Sequence, residues 1–197
     1  TTYYTLESGQ LKSNSDSVNH EFYATRAFKL SSKTEWEWWM NLKFNTSSAN
    51  YTDVYLFSDS ANLFKGRTGY FVRIGNTKDE ICLYKTKAGG TPVLLIDGRD
   101  NLTNVSSSIL KIKVVRNDTG QFQLFVDIGA TGNYFKEGTA TDTMLKDSRW
   151  FGVSIKQSAA SFHKKHYFDN IYAGPLKTDT LPPILESWAV ENDSQIS

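Results

Sequence analysis

The run Trp36-Glu37-Trp38-Trp39-Met40-Asn41-Leu42-Lys43-Phe44 constrains the fold more than any other stretch of the chain. Trp36, Trp38, Met40, Leu42 and Phe44 recur with period two, the spacing at which a strand sends side chains to one face, so this face is expected to be core. The same alternation, in short runs separated by Gly, Asn, Asp and Ser, is found at 21–30, 53–58, 70–74, 80–85, 93–96, 109–116, 122–128, 150–156 and 166–173. Asn117-Asp118-Thr119-Gly120 lies between two such runs and reads as a tight hairpin, with Gly120 able to take positive φ. Gly89-Gly90 and Asp97-Gly98 punctuate the chain in the same way. Helical periodicity is nearly absent, and about ten strands without helices predict an all-β sandwich or barrel.

Hydrophobic residues at 39% and aromatics at 14% of 197 residues suffice for one generous core. The 22 basic and 21 acidic residues are interleaved and leave a net charge of +1, which offers no basic face for phosphates and excludes a nucleic-acid binder. No apolar run approaches the ~20 residues of a membrane helix, so membrane insertion is not expected. Thr1-Thr2-Tyr3-Tyr4 does not resemble a signal peptide. The single cysteine, Cys82, sits in the apolar run Ile81-Cys82-Leu83-Tyr84 and is expected to be buried.

A boundary is read at Gly174-Pro175 through Pro182-Pro183, where paired prolines impose an extended linker. The expected organisation is a sandwich over 1–174, a Pro-containing linker over 175–183, and over 184–197 the first strand of a following β domain. A tail packed on the sandwich is the alternative for that last segment.

Three separated segments, Trp36-Glu37-Trp38-Trp39, Tyr70-Phe71-Val72-Arg73-Ile74-Gly75 and Phe168-Asp169-Asn170-Ile171-Tyr172-Ala173-Gly174-Pro175, followed by Asp179-Thr180-Leu181-Pro182-Pro183, carry a resemblance over about residues 20 to 175. The sequence resembles the laminin-G-like, concanavalin-type jelly-roll domain found at the N-terminus of large secreted bacterial proteins, where an immunoglobulin-like or lamin-tail-type domain follows. The resemblance implies a two-sheet antiparallel β-sandwich, one sheet with a concave outer surface, and a secreted or cell-surface location. It assigns no activity, since such folds host lectins, adhesive modules and glycosidases alike.

Few residues suggest chemistry. Glu35 and Glu37 share a face, but their surroundings do not reproduce the alternating acids of glucanase-type enzymes, and an exposed acid pair at a strand edge is expected instead. His163-Lys164-Lys165-His166 reads as a solvated loop rather than a metal site, and no Ser or Cys nucleophile has a recognisable base. Asn-X-Ser/Thr triplets, such as Asn45-Thr46-Ser47, report an Asn, Ser and Thr-rich surface. A structural calcium ion would fit Asp169 with Asp16 or Glu21 if the first and last strands pair; a hydrogen-bonded Asp169 is the alternative.

The suggestive residues point outward. With Trp36, Trp38 and Met40 inside, Trp39 projects to the surface with Glu37 and Asn41, and Arg73 and Trp150 alternate outward from their own strands. Indoles beside polar groups hold sugar rings, so Trp39, Glu37, Asn41, Arg73 and Trp150 are expected to line one concave sheet. The reading is a non-catalytic extracellular module for a glycan or glycosylated surface, with neighbouring domains of the same chain as further partners. A structural or adhesive spacer is the alternative, and a glycoside hydrolase finds less support.

Overall fold

The computed structural model describes residues 3–145, 147 and 149–177. The strands are β1 (Tyr4–Glu7), β2 (Gln10–Ser13), β3 (His20–Ala27), β4 (Thr34–Leu42), β5 (Tyr51–Ser58), β6 (Gly69–Ile74), β7 (Ile81–Thr86), β8 (Val93–Ile96), β9 (Ser108–Arg116), β10 (Gln121–Ile128), β11 (Phe135–Thr141), β12 (Trp150–Gln157) and β13 (His166–Pro175). A single 3-10 turn at Ala160–Phe162 is the helical element among the described residues, where no helix is long and apolar enough to cross a membrane.

The strands form two antiparallel sheets, one of seven in the order β1-β2-β13-β4-β9-β10-β11 and one of six in the order β3-β12-β5-β6-β7-β8. This is the all-β sandwich expected from the alternation. Trp36, Trp38, Met40 and Leu42 of β4 are fully buried, as are Leu110, Ile112 and Val114 of β9 and Leu124 of β10. From the other sheet, Phe57, Tyr70, Val72, Ile74 and Leu83 meet them, and Trp36 stacks on Phe57 across the sandwich at 5.7 Å. One face of each strand thus supplies the apolar burial that holds the sheets together.

The β9–β10 turn is the predicted hairpin. Asn117 Oδ1 accepts from the backbone N–H groups of Thr119 and Gln121, and Gly120 has φ +83°. A Cβ on Gly120 would also come within 2.7 Å of Asp142 O, so glycine is required there twice over.

Several expectations are corrected. β1, β2 and β11 were not legible as strands, and β3 ends at Ala27 rather than at residue 30. The linker's first residue, Pro175, still belongs to β13 and pairs with Thr34. Residues 178–183 of the linker and the whole segment 184–197 lie outside the described residues. His166 does not belong to a solvated loop: it is fully buried on β13, with its ring edge-on to Phe44 at 4.7 Å.

Candidate functional site

The outer face of the six-stranded sheet carries a built polar and aromatic surface. Strand register aligns Tyr55, Phe71 and Tyr84 across β5, β6 and β7, and in the next row Asp53, Arg73 and Cys82. On the other side of β5, Ser154 of β12 stands opposite Asp53 and Lys156 opposite Tyr51, while β3 adds Tyr23 and Glu21. Tyr55 and Phe71 stack at 4.9 Å, and Phe71 and Tyr84 at 5.4 Å.

The loop after β5 folds back over one end of this face. Leu63 is buried against Tyr55 and Phe71, Phe64 meets Tyr23 edge-on at 4.7 Å, and Arg67 Nε donates to the Tyr55 hydroxyl at 2.5 Å. Gly152 makes room for it, because a Cβ there would stand 2.9 Å from Leu63 Cδ1 and 2.7 Å from Ala24 O. Both faces of β5 are therefore covered at this end, which explains why Tyr55, on its outer face, is buried.

The floor of the uncovered part is an ion pair. Arg73 Nε donates to Asp53 Oδ1 at 2.7 Å and a second guanidinium nitrogen, Nη2, to Oδ2 at 2.8 Å, with the two side chains 17% and 8% exposed. The guanidinium lies 4.1 Å over the Tyr51 ring and 5.4 Å and 5.6 Å from those of Phe71 and Tyr84. Burial pushes the Asp53 carboxyl upward, with the guanidinium opposing that push. Burial works against the charge on Arg73 too, but Asp53 outweighs it and raises the guanidinium pKa. The two contacts give the pair the geometry of a bidentate, charge-assisted interaction. Of the guanidinium's five N–H donors Asp53 takes two, and the others remain for a ligand's oxygens. Half-buried Tyr23, Tyr51 and Tyr84, with Ser154, Lys156 and Glu21, surround this floor. Rings flanking fixed donors and acceptors can hold a ligand that has both an apolar face and hydroxyl groups.

The residues expected to share one surface do not. Trp39, Glu37 and Asn41 lie on the outer face of the seven-stranded sheet, whereas Arg73 and Trp150 belong to the six-stranded sheet. Both indoles are half-buried, Trp39 between Asp169 and Lys111 on the flanking strands and Trp150 opposite Ala27 and Ser58. The single platform is thus divided between opposite sides of the sandwich.

Glu35 and Glu37 are not an exposed pair. Glu35 is buried with Lys177 Nζ at 3.5 Å, and Glu37 accepts from the Tyr134 hydroxyl at 3.0 Å and pairs with Lys111 at 3.3 Å. Burial disfavours the Glu37 charge, but Tyr134, Lys111 and Lys177 outweigh it and hold the carboxyl below its usual range.

The three acids expected to hold calcium do not converge. Asp169 is on the seven-stranded sheet beside Trp39, where its Oδ1 accepts from the Asn170 N–H; Asp16 is exposed and paired with Lys164 at 2.9 Å; Glu21, on the six-stranded sheet, pairs with Lys156 at 3.5 Å. Two facts separate them: the first and last strands do sit in one sheet, but Asp16 follows β2 in a loop and Glu21 crosses to the other sheet.

Tyr23, Tyr51, Asp53, Tyr84 and Ser154 were not singled out from sequence. The available signal was Asp53, an acid embedded in the otherwise apolar run Val54-Tyr55-Leu56-Phe57 and in phase with Tyr51 and Tyr55.

No protein-family model matches the chain, and no curated protein matches it in sequence. Solved structures match its fold. The VIP36 exoplasmic/lumenal domain in its Ca2+/Man3GlcNAc-bound form superposes with a TM-score of 0.67 at 12% identity, covering 91% of this chain and 84% of that one. A legume lectin-like domain from Entamoeba histolytica gives 0.63 at 9% identity, with 88% and 87% covered. The Emp47p carbohydrate recognition domain gives 0.58 at 14% identity, with 88% and 86% covered. At these identities the likeness establishes the fold alone: the chain is a two-sheet, antiparallel, concanavalin-like β-sandwich.

Proposed function

We propose that the chain is a non-catalytic carbohydrate-binding module that holds a glycan on the outer face of its six-stranded sheet. The observation that carries this reading is the Asp53–Arg73 pair, fixed as a polar floor beneath half-buried tyrosines. Pyranose rings need an apolar surface for their C–H faces and preorganised partners for their hydroxyls, and the floor and its rim offer both. The fold likeness supports the ligand class, since VIP36 was solved with mannose and with Man3GlcNAc.

The residues of this face do not fit a calcium ion. The buried carboxylate is neutralised by a guanidinium, and calcium takes six to eight oxygens. Binding here is assigned to side chains alone. The same proposal puts the module outside the cell or on its surface, within a larger secreted bacterial protein whose adjoining domains are its other partners.

A glycan array tests the reading, using the parent protein with Tyr84→Ala, with Ser154→Tyr to fill the recess, and with Trp39→Ala on the opposite sheet. Loss of binding in the first two variants, with Trp39→Ala unchanged, is expected. Loss in Trp39→Ala alone moves the site to the seven-stranded sheet. A parent protein that binds nothing on the array favours the spacer.

A further inference from the structure

One end of the six-stranded sheet gathers a set of donors that glycan binding does not use. Glu80 immediately precedes β7 and Asp97 immediately follows β8, and the pairing of Leu83 with Ile96 brings these two strand ends together beside Cys82. A carboxylate oxygen of Glu80, Cys82 Sγ and a carboxylate oxygen of Asp97 all lie within 4.8 Å of one another. Cys82 Sγ stands 3.6 Å from Asp97 Oδ1. Sulfur and oxygen ligands on a tetrahedral ion, with bonds of about 2.3 and 2.0 Å, are themselves about 3.5 Å apart.

A second observation points to a bound cation. Glu80 is only 5% exposed, and its Oε2 is buried with no hydrogen-bond partner. Its ion pair is loose: Lys78 Nζ stands 4.0 Å from Oε2, beyond hydrogen-bonding reach, on a side chain that is half exposed and also reaches Asp100. A buried carboxylate oxygen left in this way is costly, and a second carboxylate nearby raises that cost further.

We propose that Glu80, Cys82 and Asp97 form a binding site for a zinc-class divalent cation, with water completing the coordination. The sulfur selects the metal, since calcium and magnesium take oxygen ligands while zinc accepts thiolate, carboxylate and water together. The exposed Asp97 gives an ion access from solvent. The Gly98 N–H donates to Cys82 Sγ at 3.3 Å and orients the sulfur, as an outer partner of a ligand does. The thiolate, not the thiol, is the metal ligand, so the Cys82 S–H bond must break when an ion binds. Binding therefore forms a metal–sulfur bond and releases the thiol proton to solvent. The site is independent of the glycan-binding reading.

The test is titration of the chelator-stripped full chain with zinc chloride by calorimetry, and with cobalt(II) chloride followed by absorption. One equivalent is expected to bind with proton release, to raise the unfolding temperature, and to give a sulfur-to-cobalt charge-transfer band. Cys82→Ser should abolish the band, and Asp97→Asn, at an exposed position, should weaken binding about tenfold or more. Lys78→Met should tighten zinc binding by removing the competing ammonium. No stoichiometric zinc binding by the parent protein, binding unchanged by both Cys82→Ser and Asp97→Asn in folded proteins, or a stronger response to calcium than to zinc would overturn the proposal.

Discussion

His166 shows how one residue couples packing to pH. Its ring is enclosed by Phe44 and Ser13, Nε2 has no partner, and burial pushes its pKa down to about 3. The folded state thus keeps it neutral, whereas the unfolded chain takes up a proton near pH 6.5. Its contribution is fully present above that value and is lost as pH falls towards 3, at about 1.4 kcal/mol per pH unit. Urea unfolding of the parent and of His166→Gln over that range should show this part of the slope in the parent only. A second residue-scale prediction concerns the floor pair. Asp53→Asn leaves Arg73 buried without its bidentate partner and should cost about 3–5 kcal/mol, while the double variant Asp53→Leu/Arg73→Met should recover most of that stability. Equal instability of the single and double variants in denaturant titrations would contradict the assignment.

At the scale of elements, the loop after β5 has Leu63 as its buried apolar anchor on the sheet. Leu63→Ala should cost about 2–5 kcal/mol if the loop stays folded over the sheet, and less if it lifts away. Hydrogen exchange should then rise at Phe64 and Lys65, whose N–H groups are held by Asn62, while β9 amides stay protected. The elements missed in sequence fail for related reasons. β11 is a sheet edge, with Gly138 inside it and its residues largely exposed, so no apolar period marks it. β1 and β2 are four residues each and expose Leu6, so their pattern is too short and too polar to read. By contrast β9 and β10, each with one dry face, were legible to within one residue, and β4 to within two at each end. For the site, alternation placed Trp39, Arg73 and Trp150 outward but could not assign them to a sheet. Period two distinguishes inside from outside, not which of two sheets a strand joins. That information lies in pairing between distant segments.

For the whole molecule, such pairing is most extreme at β13, which lies between β2 and β4 in the middle of the seven-stranded sheet and places Phe168 in the core. A chain ending before His166 loses an internal strand, not an edge, and should show no cooperative unfolding transition by circular dichroism. The same topology separates the two outer faces, so a ligand on one cannot touch the other. The most direct test of the account is therefore a glycan titration followed by amide chemical shifts. Shifts confined to Tyr51, Arg73, Tyr84 and Ser154, with Trp39 and Asn41 unmoved, are predicted. Shifts centred on Trp39, or a glycan that binds without perturbing β5, β6 and β12, would contradict it.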